Sequence, residues 1–451
     1  MKKRLLKNTA LLTGASALSS LIALLFRLWL AGQIGAAGIG LFQLIVSVDA
    51  LAATLAIAGL RFATTRLVAE ELGADRRACV PAAMRLSLGF AALSGLAAAL
   101  LLILVSGPVS LDLIHDGRCL RPLQLSAFSL PCVSLTAALS GYFTACGRLL
   151  RPTLIRLAEQ LAGAALTVFF LRRAAPGDVE AGCAAVVCGQ LLAALLSLLL
   201  LALVYAGDRA RHFPAAAALN GQGRRLLRIA LPLALSACAR SGLNTVQQLL
   251  VPRGLRSGGF SAERALAGYG VVQGMALPVL LFPSCLLYSA AELIVPELTK
   301  LQQRREQARI RRAVRGFLQG GILYAAAVAA LAYRFAYPLS VRLYGSAEAG
   351  LYLRRLSPLV LVMYADVCVD GCLKGLGQQV WSMGVNVVDS LSALLLTLFL
   401  LPRWGLPGYL WMIYATETLN FLLSLGRLLT VRRAAPAEAA RSLRTQPAQT
   451  A

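Results

Sequence analysis

The chain contains twelve apolar stretches, each long enough to cross a lipid bilayer, that run from Leu11 to Leu425 with short charged loops between them. A helix needs about 20 apolar residues to span the hydrocarbon core, and only helices and closed barrels satisfy their backbone hydrogen bonds there. Charged residues make up only 14% of the 451 residues, against about 25% in soluble domains. The sequence therefore predicts an all-α polytopic membrane protein with about 12 transmembrane helices. The predicted spans are residues 11–30, 39–60, 86–106, 122–145, 154–171, 183–206, 225–251, 265–291, 316–337, 356–375, 381–401 and 405–425.

The two halves of the chain repeat one sequence pattern. Gly38-Ile39-Gly40 recurs as Gly268-Tyr269-Gly270 at an offset of 230 residues, and the same offset joins Gly141 to Gly371, Gly147 to Gly377 and Glu159 to Asp389. Six spans per half is an even number, so both halves share one orientation in the membrane. Such a parallel repeat predicts two six-helix lobes around a central cavity, as in transporters that work by alternating access. A duplication without transport is the alternative.

These patterns divide the chain into four parts. We predict an N-terminal lobe at residues 1–206, a cytoplasmic linker at 207–224, a C-terminal lobe at 225–425 and a basic, disordered cytoplasmic tail at 426–451.

The net charge of +24 is explained by membrane topology. Lys and Arg concentrate in the loops that face the cytoplasm if the N-terminus is inside, most densely between Lys300 and Arg315, as the positive-inside rule requires. Attraction to anionic lipid headgroups accounts for this run without nucleic acid as a partner. The basic start followed by the long apolar run from Leu11 to Leu30 is interpreted as an uncleaved first helix. We therefore predict a multi-pass protein of the cytoplasmic membrane with both termini in the cytoplasm.

Motifs for catalysis and for metal binding are missing from the sequence. It has ten cysteines but no CxxC pair and only two histidines, so we expect cysteine to serve as a small apolar residue and predict no metal site or cofactor. No GxxxxGK[ST], GxSxG or HExxH motif occurs. The sequence predicts a protein that is not an enzyme.

Ionisable and amide side chains inside the predicted spans mark candidate sites, because a charge at bilayer depth costs several kcal/mol unless it faces a cavity or a partner. In span 225–251, Arg240, Asn244, Gln247 and Gln248 share one helical face, which we expect to line an aqueous cavity. Arg27, in the first span, either extends to the interface or joins Arg240 in that cavity, where two guanidiniums would suit an anionic substrate. Asp49, Asp389 and Glu417 are candidates for ion coupling, whereas Asp366, Asp370 and Lys374 form either an internally neutralised stripe or a functional one.

Several segments resemble the stage V sporulation protein B group, in the polysaccharide transporter branch of the multidrug/oligosaccharidyl-lipid/polysaccharide (MOP) flippase superfamily, which also contains lipid II flippases. The most specific segment runs from Tyr269 to Ser289 and is followed by Val295-Pro296. Further matches are Phe26-Arg27, Gly38 to Gln43, Ala58-Gly59-Leu60, Arg66 to Glu70, Leu356-Ser357-Pro358, Gly375 to Gln378 and Gly405 to Tyr409. The chain departs from the family pattern at Ser20, which stands in place of an arginine, at Arg61, in place of a proline, and at Asp49, in place of an uncharged residue.

The resemblance implies a two-lobed bundle that flips an undecaprenyl-linked saccharide, such as a peptidoglycan precursor or a polysaccharide unit for the cell wall or for sporulation. Arg27 and Arg240 are then expected to hold the pyrophosphate, and Gln43, Gln273 and the polar face of span 225–251 to contact sugar. The expected partners are the lipid-linked saccharide, membrane lipids and a coupling ion, H⁺ or Na⁺, with the protein a monomer. Two alternatives stay open: a multidrug or cation antiporter of the same superfamily, and a membrane scaffold that transports nothing.

Overall fold

The computed structural model describes residues 2–57, 59–173, 178–213, 222–304 and 306–444. In these ranges every regular element is helical. The α-helices are α1 (Lys2–Ile57), α2 (Leu60–Gly73), α3 (Val80–Pro108), α4 (Leu120–Ala127), α5 (Leu130–Ala145), α6 (Leu150–Leu171), α7 (Val179–His212), α8 (Gln222–Ser257), α9 (Ala262–Tyr269), α10 (Leu277–Leu281), α11 (Cys285–Gln303), α12 (Gln307–Tyr344), α13 (Ala347–Leu356), α14 (Leu359–Gly375) and α15 (Gln379–Arg444).

The helices that can cross a membrane agree with the predicted number of spans. Among the described residues, eight helical stretches are long and apolar enough, and the bent pairs α4–α5 and α13–α14 raise the number to ten. Two of the eight stretches contain a break, at Gly35 (φ 69°) and at Gly405 (φ 58°). Glycine reaches these positive φ values without the steric cost of a side chain. Dividing α1 and α15 at their glycines gives twelve spans, and the all-α membrane fold is confirmed.

Large apolar side chains on the outside of the helices indicate where lipid lies. On α3, Leu93 and Leu104 are 68% and 67% exposed, and Leu96 and Leu100 lie between them on the same face. A soluble protein would bury such a row, whereas hydrocarbon chains solvate it at no cost. The exposed row therefore fits a helix that faces the bilayer.

The chain packs into two compact units. The first comprises Met1–Arg256 and Phe260–Gly270, and the second comprises Ser257–Gly259 and Val271–Ala451. Helix α8, which opens the predicted C-terminal lobe, therefore packs within the first unit. The predicted linker 207–224 is only partly described, and in the predicted tail α15 continues as a helix to Arg444. The lobe boundaries stay a prediction.

In the first unit, a buried polar cluster joins α5 to α7 near the end of α7. The Asp208 carboxylate, 2% exposed, accepts hydrogen bonds from the Tyr142 hydroxyl (2.8 Å), from Arg151 (2.9 Å) and from Arg148. Tyr142 is itself fully buried, edge-on to Phe143 and Tyr205. A buried carboxylate is stable only when it is paired and hydrogen-bonded, and here both of its oxygens have partners.

In the second unit, α11, α12 and α14 enclose an apolar core. Leu298, Val314 and Val369 are completely buried in it. The Tyr364 hydroxyl, also buried, donates to the Leu280 carbonyl at 2.7 Å and so satisfies its one polar atom. This core supports the segment that precedes α11, where a π-helical stretch (Gly270–Ala276) and a 3₁₀ turn (Phe282–Ser284) flank α10.

The loop between α3 and α4 is closed by one ion pair. Asp116 caps the short 3₁₀ turn Gly117–Cys119, accepting from the Arg118 backbone N–H at 3.1 Å and from its guanidinium at 2.7 Å. Burial by itself raises the pKa of the Asp116 carboxyl, but the hydrogen bonds and charge of Arg118 outweigh that effect and hold the pKa below its ordinary value of 3.8. The loop is therefore pinned by a carboxylate that stays ionised.

Candidate functional site

Helix α8 packs against α1 through Ser241 and Thr245, which lie next to the predicted polar face of α8. The Ser47 carbonyl accepts a hydrogen bond from the Thr245 hydroxyl at 2.8 Å, and Thr54 donates to Ser241 at 3.4 Å. These two contacts fix the rotation of α8. Residues one position away in sequence, Arg240 and Asn244, consequently point outward and are exposed.

The amides at the end of that face are half-buried. Gln247 and Gln248 lie one turn beyond Asn244, and the Gln248 carbonyl oxygen accepts from the Tyr269 hydroxyl at 3.3 Å. The α8 face thus presents an exposed guanidinium followed by amide groups. The guanidinium can bind an anion, and the amides can hydrogen-bond to hydroxyl groups of the same ligand.

The other predicted substrate residues lie on different elements. Arg27 is exposed on α1 before the Gly35 break, and Gln43 is half-buried after it. Both belong to the first unit with Arg240, Asn244 and the two α8 glutamines. Gln273 belongs to the second unit, where its carbonyl oxygen accepts from the buried Tyr409 hydroxyl at 3.2 Å. A direct role of Gln43 and Gln273 in sugar binding stays a prediction.

Asp49 lies half-buried on α1 in the first unit, beside the Ser126 hydroxyl. Its Oδ1 atom has no hydrogen-bond partner in the described part of the chain. Burying an ionised carboxylate oxygen without a hydrogen-bond partner costs free energy, so the site favours uptake of a proton or a cation.

The second unit contains a cavity of about 340 Å³ lined by carboxylates from two helices. Asp366 and Asp370 come from α14, and Glu417 comes from α15. Asp389, also on α15, is close enough to interact electrostatically with Asp366 and Glu417. The structure therefore brings the two predicted coupling residues Asp389 and Glu417 to one place, together with a pair that the sequence left undecided.

The carboxylates of this cavity differ in their hydrogen-bond partners. Lys374 donates to Asp370 at 2.5 Å, and Asn420 donates to Asp366 at 3.3 Å, while a buried Asp366 oxygen has no partner among the described residues. One lysine faces several carboxylates, so the cavity carries an excess of negative charge. Within the described residues no three such side chains have metal-binding geometry. Uptake of a proton or a hydrated cation is the chemistry that relieves this charge.

Sequence reasoning missed this assembly because Asp366 and Glu417 are about fifty residues apart. The four-residue spacing of Asp366 and Asp370 places both on one face of a helix, but it does not say which helix covers that face. The only signal was the presence of several carboxylates in predicted spans, and their meeting point depends on how α14 packs against α15.

Comparison with known proteins agrees with this fold. The chain is 24% identical over 420 residues to stage V sporulation protein B of Bacillus subtilis (strain 168), covering 90% of this chain and 80% of that protein. It is 22% identical over 399 residues to sporulation protein YkvU of the same organism, covering 84% and 86%. These matches confirm the resemblance to the stage V sporulation protein B group.

Solved structures share the fold at low sequence identity. The inward closed conformation of the lipid II flippase MurJ has a TM-score of 0.69 at 13% identity, covering 98% of this chain and 94% of that chain. An inward-facing multidrug resistance MATE family transporter of the MOP superfamily has a TM-score of 0.68 at 16% identity, covering 93% and 96%. The family model described as polysaccharide biosynthesis protein matches residues 5–302. Because that match spans more than half of the sequence, the chain belongs to the polysaccharide biosynthesis protein family.

Proposed function

We propose that the protein is a flippase-type transporter that moves a lipid-linked saccharide, carried on undecaprenyl pyrophosphate, across the cell membrane by alternating access. The observation that carries this proposal is the family membership over residues 5–302 of a chain with membrane-spanning helices. Polysaccharide assembly makes intermediates anchored in a membrane, and a polytopic protein is suited to move them. The fold shared with a lipid II flippase supports the same function.

In this proposal the substrate is held by polar residues of the first unit. The exposed Arg27 and Arg240 bind the pyrophosphate, because planar guanidiniums match phosphate oxygens and keep their charge at every physiological pH. Asn244, Gln247 and Gln248 contact sugar hydroxyls with amides that both donate and accept. Gln43 extends that contact, and Gln273 is proposed separately as a sugar-contacting residue of the second unit. Both termini lie in the cytoplasm, and the substrate loads from the inner leaflet.

Coupling to an ion gradient, of H⁺ or Na⁺, is assigned to carboxylates in each unit. Asp49 serves the first unit, and Asp389 and Glu417 serve the second, where Asp366 lines the same cavity as Glu417 and Asp389 interacts with Glu417 electrostatically. Uptake of a cation removes repulsion between these groups and changes which packing of the helices is preferred. The irregular backbone around α10, with Pro278 and Pro283, provides a point at which the helix bends.

A cation or drug antiporter is the second candidate function. The carboxylate-lined cavity of the second unit favours it, because an excess of negative charge attracts organic cations. The fold shared with MATE family transporters is compatible with this function.

Native mass spectrometry of the protein purified in mild detergent tests the leading proposal. We expect the wild type to retain a polyprenyl-pyrophosphate saccharide and the double variant Arg27→Ala/Arg240→Ala to lose it. Arg228→Ala is the matched control, since Arg228 is exposed on α8 but lies on a different face. This control is expected to retain the lipid at the wild-type level.

The outcomes separate the candidate functions. If the double variant binds the lipid as well as the wild type does, Arg27 and Arg240 do not form the phosphate site. Transport would then be measured in proteoliposomes with a fluorescent lipid-linked saccharide. A wild type that neither retains nor flips the lipid, but exports a cationic dye in exchange for H⁺ or Na⁺, would establish the antiporter instead.

A further inference from the structure

The first unit contains a cavity of about 610 Å³ among α1, α2, α5, α6 and α7 that none of the proposed substrate residues lines. Its wall combines two arginines, one glutamate and several hydroxyl groups. The polar side chains of this wall include Arg61, Ser140, Arg156, Glu159 and Ser197.

Arg61 is fixed in this wall by the backbone around it. Gly59, in the left-handed conformation (φ 68°), separates α2 from α1, so Arg61 is the second residue of a new helix. Thr65 donates to the Gly141 carbonyl at 3.1 Å and holds α2 against α5. A Cβ atom at Gly141 would lie 2.7 Å from the Arg61 carbonyl oxygen, so only glycine permits this approach. The close packing brings Arg61 beside Ser140 at the cavity.

Arg156 reaches the cavity from α6. Glu159, one turn further along, interacts with the Arg156 charge and with the Ser197 hydroxyl. Throughout the described ranges, neither Arg61 nor Arg156 forms an ion pair with a carboxylate. Two guanidiniums and one carboxylate leave the cavity with one net positive charge, surrounded by hydroxyl groups that can donate to an anion.

We propose that this cavity is a capture subsite for the phosphate of the polyprenyl carrier, bound by Arg61 and Arg156. The inference rests on the proposed function and names a site that acts before Arg27 and Arg240. In the predicted topology, residue 61 and the loop before α6 are at the cytoplasmic side, where the carrier is loaded. On the opposite face of α6, Leu154 and Leu161 are 60% and 51% exposed, as expected of a helix that borders the hydrocarbon in which the carrier's chain lies.

Glu159 limits how tightly this subsite binds an anion. Its carboxylate opposes the binding of an anion and attracts Arg156, so it keeps the cavity from holding phosphate too tightly for transfer. Replacing it by glutamine raises the net positive charge by one. The subsite therefore predicts opposite effects on anion binding for variants at Arg156 and Glu159, which purely structural roles would not produce.

Direct binding of a prenyl pyrophosphate tests the proposal. Farnesyl pyrophosphate, inorganic pyrophosphate and farnesol are titrated against the full chain in detergent, in the Arg27→Ala/Arg240→Ala background so that the other proposed pyrophosphate site does not contribute. We expect Arg61→Gln and Arg156→Gln each to weaken binding of farnesyl pyrophosphate about tenfold or more, as loss of a charge-assisted hydrogen bond does. Glu159→Gln is expected to tighten it. Arg66→Gln is the control on the same helix, because Arg66 is exposed, paired with Glu70 and away from the cavity.

Farnesyl pyrophosphate binding much tighter than inorganic pyrophosphate or farnesol would support a lipid phosphate site. Equal affinity for the free anion would overturn the lipid assignment, and equal affinity for farnesol would overturn the phosphate assignment. Unchanged binding by both arginine variants, with melting temperatures equal to the wild type, would overturn the subsite. The proposed function survives that result if the wild type flips a lipid-linked saccharide in proteoliposomes, and it fails separately if the wild type does not.

Discussion

Gly40 and Gly270 lie directly against each other in the first unit, although they are the same position of the two sequence repeats. A Cβ atom on Gly40 would be 2.2 Å from the Leu266 carbonyl oxygen and 3.3 Å from the Gly270 nitrogen, and one on Gly270 would be 2.7 Å from the Gly40 nitrogen. Helices α1 and α9 therefore touch backbone to backbone. The close packing requires glycine at both positions, since any side chain there would separate the two helices.

This contact predicts that Gly40→Ala destabilises the protein, by roughly 1–3 kcal/mol, because the added methyl group meets rigid backbone. Thermal unfolding in detergent, followed by the elution profile in size-exclusion chromatography, measures the effect. Gly32→Ala is the matched control on α1, where a Cβ atom would have no neighbour within 4 Å. The control is expected to be neutral or slightly stabilising, and equal melting temperatures for both variants would contradict the packing argument.

Asp208→Asn is expected to destabilise the first unit by about 2 kcal/mol. The change leaves Arg148 and Arg151 without their carboxylate, and the penalty is moderated because both arginines are partly exposed to solvent. Asp75→Asn removes a comparable Asp–Arg pair at a position where both partners are largely exposed, and we expect an effect of about 0–1 kcal/mol there. Melting temperatures of the two variants, compared at neutral pH, check the difference.

The Asp116–Arg118 pair predicts a pH dependence of stability. Because the pKa of Asp116 is held below 3.8, the folded state gains stability above that value and loses it as the pH falls through the lowered pKa. We expect Asp116→Asn to lower the melting temperature between pH 5 and 7 by a constant amount (~1–5 °C). The difference from the wild type should vanish well below pH 3.8. A difference that grew with acidification would refute the assignment.

Glu417→Gln is expected to uncouple transport from the ion gradient. With its charge removed, the cavity of the second unit loses part of the repulsion that a bound proton or cation relieves. Flipping of a fluorescent lipid-linked saccharide in proteoliposomes should then respond at least about tenfold less to an imposed H⁺ or Na⁺ gradient. Glu297→Gln, an exposed position of α11, serves as the control. Full gradient dependence in Glu417→Gln would exclude this residue from coupling.

Similar threonine–glycine hydrogen bonds occur in the two units at an offset of 234 residues, one helical turn from the sequence offset of 230. Thr65 donates to the Gly141 carbonyl in the first unit at 3.1 Å, and Thr299 donates to the Gly375 carbonyl in the second at 3.0 Å, each across 76 residues. Gly147 and Gly377, joined by the offset of 230, both end a helix with positive φ, 70° and 74°. The glycines were visible in the sequence, but the partners of the threonines were not.

Membrane class, helix number and repeat follow from the sequence alone, because hydropathy over about 20 residues and the conformational freedom of glycine are local properties. The breaks at Gly35 and Gly405 are of this kind. Only the tertiary structure decided which polar groups meet. Asp366 and Glu417 share one cavity, and Arg61 and Arg156 another, because helices distant in the chain pack side by side. That packing depends on the shapes of whole helix faces, which no spacing within a single segment encodes.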